Sequence, residues 1–249
     1  MDERVTIEFI FQFMLVFARL GVAFSRFPAI GSPYIFMRGK LALALTSSFI
    51  MMPILIPYLP KYSDNFAILT GYIAIELLIG FIISFAANIY YQTAYYIGQI
   101  ISMQSGLGSA AFFDPLQKTQ VTLFSNLILL LTIVLIFASN THHLYIKAIA
   151  DSYVKFPPGE LVEFADLSKF VVHVINDSFI LAFKMVSPFL IVGLAIMTGS
   201  GMLARLMPNF QVFFVLTPAQ ILVMFCTMYI VIETVVSKIV TIIANSVIF

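Results

Sequence analysis

Long, nearly uncharged apolar runs dominate this chain, and they restrict its fold more than any other feature. Six of them approach the roughly 20 residues that an α-helix needs to cross the hydrocarbon core of a bilayer. The runs cover residues 9–24, 41–59, 66–87, 121–139, 179–203 and 212–232, and a weaker apolar stretch covers residues 235–249. Segments of alternating polarity, which are typical of membrane β-barrels, are missing. Because only helices and closed barrels satisfy the backbone in lipid, the runs predict an all-α, multi-pass protein of the membrane class.

The composition supports a lipid or protein environment for these runs. Hydrophobic residues make up 61% of the 249 residues and charged residues only 10%, whereas an ordinary soluble domain carries roughly 25% charged residues. The net charge of +1 gives no strong attraction for nucleic acid. The single cysteine, Cys226, cannot form an internal disulfide or a multi-cysteine metal site. No repeat or low-complexity linker is found, so residues 1–249 are predicted to form one domain.

Three longer connections join the apolar runs. Residues 25–40 are basic and rich in proline and glycine, residues 88–120 begin with a tyrosine-rich half, and residues 140–169 form the most polar stretch of the chain. Their polarity predicts that they lie outside the long helices.

A carboxylate inside the third apolar run, Glu76, needs a partner or a function, since an ionised group in lipid is costly unless it is paired, protonated or in contact with water. One interpretation is a proton or ion relay. The other is a structural partner for an arginine of another segment, such as Arg19, Arg38 or Arg205. The structural interpretation is favoured, because a transporter would be expected to carry several acidic residues at this depth and only Glu76 lies so deep.

No catalytic or cofactor-binding pattern accompanies the apolar runs. The chain lacks the HExxH zinc motif, the GxSxG nucleophile motif and the phosphate-binding P-loop. His142 and His143 are adjacent, and adjacent helix residues point in different directions, so a polar cap at a helix end is favoured over a metal site. The sequence predicts neither an enzyme nor a bound metal or cofactor.

The stretch from Gln104 to Pro115 is the most informative connection. Gly106 and Gly108 are expected to loosen the backbone, and the Asp114–Pro115 pair favours a turn. Small residues lead from the glycines to Phe112 and Phe113. A flexible apolar loop with aromatic tips could act as a gate, since apolar constrictions close pores by blockage or dewetting. A loop that merely folds back against neighbouring helices explains the same residues equally well.

Many single positions along the chain also follow one known family pattern in order and spacing. They are Arg19, Pro28, Gly31, Pro33, Arg38, residues 41–45, Pro53, Glu76, Gly80, Phe81, Gly98, Gln104, Gly106, Leu107, residues 113–115, residues 140–143, Gly201, Arg205, Pro208, Val212, Phe213 and Pro218. Over nearly its whole length the chain therefore resembles the FliR/SctT family, the export-gate subunits of flagellar and injectisome type III secretion systems. The resemblance favours a flagellar system.

The resemblance implies a one-copy, non-enzymatic subunit of a hetero-oligomeric gate that passes unfolded export substrates. Its partners would be FliP-like and FliQ-like gate subunits and an FlhB-like subunit. The helices would form hairpins wound around a channel in the bacterial inner membrane at the flagellar basal body. Much of that assembly would lie above the bilayer plane.

The resemblance also assigns residues to two roles. The plug of the closed channel would comprise Gly106, Leu107, Gly108, Phe112, Phe113, Asp114 and Pro115. The buried polar or structural positions would comprise Arg19, Arg38, Glu76, Arg205 and Pro208.

A self-contained transporter for a small solute is the alternative. It would use Glu76 and the proline-broken fifth and sixth runs as a binding site near the bilayer midplane. Dependence on partner subunits separates the two hypotheses, since only the gate subunit needs them.

Overall fold

The computed structural model describes residues 3–28, 30–31, 35–108, 111–114, 119–159, 164–207 and 211–247. These residues are predominantly helical, which confirms the predicted all-α class. The elements in chain order are α1 (Glu3–Arg26), α2 (Met37–Leu55), a 3₁₀ turn (Ile56–Tyr58), α3 (Phe66–Gln104), β1 (Phe112–Asp114), β2 (Thr119–Val121), α4 (Leu123–Ala138), α5 (Thr141–Lys155), α6 (Phe164–Leu206) and α7 (Val212–Val247).

The predicted number of about six apolar segments is confirmed in the described part of the chain. Five helices are long and apolar enough to cross a membrane, and a sixth span results if α4 and α5, which meet at a 70° bend, are counted as one. The five single spans cover Thr6–Arg26, Met37–Tyr58, Phe66–Gln104, Leu167–Leu206 and Phe214–Asn245.

Three helices extend beyond the apolar runs, so the expected connections are shorter than predicted. α3 continues through the tyrosine-rich stretch to Gln104, and α6 begins at Phe164, fifteen residues before the fifth run. The sixth run and the weaker final stretch form the single helix α7. In α3 the buried residues Tyr90, Ala94, Ile97 and Ile101 recur every three to four positions, which is the helical period.

The polar stretch after the fourth run contains the helix α5, which the sequence analysis missed. Asn140 precedes it with a φ of 56°, a left-handed conformation that asparagine adopts more readily than most residues. This residue turns the chain between α4 and α5, and His142 and His143 follow in the first turn of α5.

The chain divides into two compact units. The first contains Met1–Ile89, Ile136–Val174 and Ile243–Phe249, and the second contains Tyr90–Leu135 and Ile175–Ile242. In the first unit, α1 and α2 pack together and α2 also contacts α5. The helices α3, α4, α6 and α7 each contribute residues to both units.

Candidate gate loop and buried ion pair

The candidate gate loop begins at the end of α3, in the second unit. The Ser105 N–H donates to the Ile101 carbonyl at 2.9 Å, and the Gly106 N–H donates to the Met103 carbonyl at 3.3 Å. Gly106 has a φ of 78°, which places it in the left-handed region where a glycine commonly ends a helix. In the structure Gly106 therefore ends α3 as a cap, whereas the sequence suggested only a looser backbone.

The middle of the loop is a short β-hairpin, which the sequence analysis did not foresee. β1 and β2 are antiparallel, with Phe112 opposite Val121, Phe113 opposite Gln120 and Asp114 opposite Thr119. Leu107 and Gly108, which precede the hairpin, are half-buried. Pro115, the remaining residue of the predicted plug, lies outside the described residues.

The loop returns to α3 at its other end. Thr122 precedes α4, and its N–H and hydroxyl lie 3.1 Å and 2.6 Å from the Ser125 hydroxyl. The Phe124 N–H, one of the free amides of the first turn of α4, donates to the Ser102 hydroxyl on α3 at 3.4 Å. The two ends of the loop are thus held within a few residues of each other on α3, at Ser102 and at Gln104.

The first unit contains a fully buried ion pair between α1 and α3. Arg19 Nε lies 2.6 Å from Glu76 Oε2, and Arg19 Nη2 lies 2.9 Å from Glu76 Oε1, with both side chains 0% exposed. This two-pronged geometry matches the fork of the guanidinium group to the carboxylate. Gly80 lies one turn after Glu76, and a Cβ there would be 2.5 Å from the Arg19 carbonyl oxygen, so α1 and α3 approach closely beside the pair.

The end of α5 completes the surroundings of the Arg19 guanidinium. Nη1 donates to the Ser152 hydroxyl and Nη2 donates to the Phe156 carbonyl, each at 3.0 Å. Phe156 caps α5, where carbonyls lack partners within the helix. The guanidinium carbon lies 3.8 Å from the ring centroid of Tyr153, which adds a cation–π contact. Arg19 therefore joins α1, α3 and α5.

Other predicted structural residues have different surroundings. In this chain by itself, the side chains of Arg38 and Arg205 are exposed. Arg38 lies in the first turn of α2 and Arg205 in the last turn of α6. Pro208 lies outside the described residues.

The sequence analysis missed all the residues of α5 that pack around the Arg19–Glu76 ion pair and the end of α1. Besides Ser152, Tyr153 and the Phe156 carbonyl, it missed Tyr145, whose hydroxyl donates to the Ala23 carbonyl at 2.8 Å and whose ring stacks on Phe27 at 3.9 Å between centroids. The spacing of the buried residues Tyr145, Ala148 and Ser152 is the signal that could have found this helix.

The described residues offer no metal site, because no group of three His, Cys, Asp or Glu side chains among them could hold an ion. The rings of His142 and His143 lie 4.1 Å apart between centroids, closer than their adjacent positions on a helix suggested.

Two buried tyrosines of α5, Tyr145 and Tyr153, allow a matched test of how their hydroxyl groups contribute to stability. The Tyr145 hydroxyl has a partner, whereas the Tyr153 hydroxyl is buried with no hydrogen-bond partner in the described part of the chain. Tyr145→Phe should therefore lower the free energy of unfolding by about 1 kcal/mol. Tyr153→Phe should leave it nearly unchanged, because it removes only an unsatisfied polar atom and keeps the ring over Arg19. Thermal unfolding of the purified complex measures both, and equal losses would contradict this account.

Comparison with known proteins identifies the family. The family model described as bacterial export proteins, family 1, matches residues 10–246. The chain is 31% identical to flagellar biosynthetic protein FliR of Caulobacter vibrioides over 208 residues, which cover 84% of this chain and 83% of that protein. It is 26% identical to the FliR protein of Aquifex aeolicus over 221 residues, which cover 89% and 85% of the two chains. These matches confirm the resemblance noted in the sequence, and the chain belongs to family 1 of the bacterial export proteins.

Proposed function

We propose that this chain is a non-enzymatic subunit of a flagellar type III export gate, and that its loop from Gly106 to Pro115 closes the channel. The observation that carries the proposal is the β-hairpin in a loop that starts at the capped end of α3 and returns to Ser102 of the same helix. Such a hairpin is a compact element that can fill a narrow lumen, while its attachment to helices keeps it in place. The FliR names of the relatives support the flagellar assignment.

The proposed partners are FliP-like and FliQ-like subunits and an FlhB-like subunit, and the proposed cargo is unfolded export substrate. Helix length supports a protein environment around much of this chain. α3, α6 and α7 contain 39, 43 and 36 residues. At 1.5 Å per residue, each is roughly 54 Å or longer, against a hydrocarbon core of roughly 30 Å. A large part of these helices must therefore lie outside the lipid core or against other protein.

Exposed charged side chains on the long helices also support a protein environment around this chain. Lys184 on α6 and Glu233 on α7 are exposed in this chain, and an exposed charge in lipid is costly. We propose a single membrane domain over residues 1–249 in the bacterial inner membrane at the flagellar basal body. In the assembly, much of it lies above the bilayer plane and packs on neighbouring subunits.

The small-solute transporter is the less supported alternative. It relied on Glu76 as an exchangeable acid, yet both carboxylate oxygens of Glu76 accept hydrogen bonds from the buried Arg19. A proton carrier needs access to water or to a proton donor. The pair therefore supports a structural role for Glu76.

Shortening the hairpin tests the proposed plug. Because Phe112 and Val121 are directly paired, their Cα atoms are about 5 Å apart, and a Gly-Ser link can replace residues 113–120 without moving α3 or α4. We expect the purified complex carrying this deletion to conduct small ions severalfold more than the intact complex in liposomes. A flux assay with a potential-sensitive dye measures the leak.

Matched substitutions separate the aromatic plug from loss of assembly. Phe112 and Phe113 both changed to Leu should keep the channel closed, since the residues remain apolar, whereas both changed to Ser should allow part of the leak. Mass analysis of the intact complex must show the same subunits for every variant. An assembled complex with the shortened hairpin and the ion flux of the intact protein would exclude the plug.

A further inference from the structure

The start of the gate loop is attached to α7 through a backbone carbonyl. The carbonyl of Gln104, the last residue of α3, belongs to a helix end whose carbonyls have no partner within the helix. The side-chain amide Nε2 of Gln220, on α7, donates to this carbonyl at 2.6 Å. A side chain of a different helix thus caps α3 two residues before the left-handed Gly106.

The side chain of Gln104 is held by α6 at the same place. A Cβ built on Gly193 of α6 would lie 2.5 Å from Gln104 Oε1 and 3.3 Å from the methyl carbon of Met224 on α7. Because Gly193 is a glycine, the Gln104 amide can occupy the space that a side chain at position 193 would fill. Met224, one turn after Gln220, is fully buried, so this packing is tight.

Gly106, two residues after Gln104, also lies close to α7. A Cβ on Gly106 would lie 3.7 Å from the Thr217 methyl group, three residues before Gln220 and thus on the same face of α7. The loop start thus lies near Thr217 of α7 and is bonded to Gln220, and Gln104 occupies the space left by Gly193 of α6. The hydrogen bond to Gln220 and the packing at Gly193 hold Gln104 against α6 and α7, and the gate loop begins two residues later at Gly106.

We propose that Gln220 and Gly193 are positioning residues that hold the gate loop in its closed conformation through Gln104. This inference rests on the proposed plug function and adds the contacts that must open for export. α6 and α7 would then control the gate, because a movement of either helix changes the attachment of the loop.

The test uses the purified export-gate complex and measures amide hydrogen exchange of the peptide covering residues 107–121. Gln220→Met keeps the length of the side chain and removes its donor, and Gly193→Ala displaces the Gln104 amide. We expect each variant to raise the exchange rate of this peptide about fivefold, the effect of losing one hydrogen bond of ordinary net strength. Gln220→Lys retains an N–H donor and should keep the slow exchange of the intact protein.

Two control variants change the same helices away from the loop. Gly201→Ala adds a Cβ on α6 that would meet no atom of another described element within 4 Å, and Thr227→Val removes a hydroxyl that donates to the Val223 carbonyl of α7. Both should leave the exchange rate unchanged. Unchanged exchange in assembled complexes with Gln220→Met and with Gly193→Ala would overturn the proposal.

Ion flux through the same complexes separates this inference from the plug itself. Faster exchange with an increased ion leak supports both. Faster exchange without a leak supports the attachment of the loop, and it contradicts the plug if the shortened hairpin does not leak either. If the shortened hairpin leaks but Gln220→Met changes neither exchange nor flux, the plug stands and the positioning role is wrong.

Discussion

Replacing Arg19 by methionine should lower the free energy of unfolding by about 3–5 kcal/mol, the typical cost of removing one partner of a buried ion pair. The reason is that Glu76 would remain fully buried without a counter-charge, and the Phe156 carbonyl would lose its donor. The arginine also links three helices, so its loss should loosen the packing of the end of α5 against α1 and α3. Reversible unfolding of the purified complex, followed by circular dichroism, measures the change.

The double variant Arg19→Met, Glu76→Met isolates the cost of the unpaired charge. It should regain much of the loss, because apolar residues of similar volume often replace a buried pair at little cost. Recovery should stay incomplete, since the Ser152 hydroxyl and the Phe156 carbonyl still lack the donors that Arg19 supplied. A double variant that is as unstable as the single one would show that the buried charge is not the source of the loss.

Glu76→Gln should have a smaller effect than Arg19→Met. Its amide oxygen still accepts one hydrogen bond, and the guanidinium keeps Ser152, Phe156 and the ring of Tyr153 as partners. We therefore expect mildly weakened assembly with secretion retained. Complete loss of secretion from a fully assembled complex would instead indicate a relay.

The ion pair illustrates which part of the site the sequence could predict. The cost of a buried carboxylate indicates that Glu76 needs a cation, and Arg19, Arg38 and Arg205 are candidates on other segments. It cannot choose among them, because Arg19 and Glu76 are 57 positions apart and only the packing of α1 against α3 brings them together. The exposed Arg38 and Arg205 satisfy the sequence argument equally well.

Helix boundaries were predicted well only where helices are apolar on all sides. A search for uncharged runs finds segments such as α4, and it misses α5 and the start of α6, where polar residues interrupt the apolar ones, although the buried residues of α5 recur at helical spacing. Such helices pack against protein, so their hydrophobicity is one-sided and periodic instead of continuous. The hairpin in the gate loop was missed because its three-residue strands are too short to show an alternating pattern.

Replacing Gly98 by alanine should lower the free energy of unfolding by about 3 kcal/mol, the upper end of the usual cost of overpacking. A Cβ at Gly98 would lie 2.5 Å from the Ser125 backbone nitrogen and would overlap the Ser125 Cα, so α3 and α4 would have to separate. Ser125 also caps α4 through Thr122 and adjoins the Phe124 amide that Ser102 holds. The same variant should therefore loosen the far end of the gate loop and increase the ion leak.

Gly71→Ala is the matched control in the same helix. In the described part of the chain, an added Cβ at Gly71 would meet no atom of another element within 4 Å, so the substitution gains the helix propensity of alanine, up to about 1 kcal/mol. Gly98→Ala and Gly71→Ala should thus change the stability of the purified complex in opposite directions, and only Gly98→Ala should change ion flux. If both variants stabilise the complex, α3 and α4 are farther apart at Gly98 than in the structure. The hydrogen bond from the Phe124 N–H to Ser102, which depends on that close approach, would then not hold the loop.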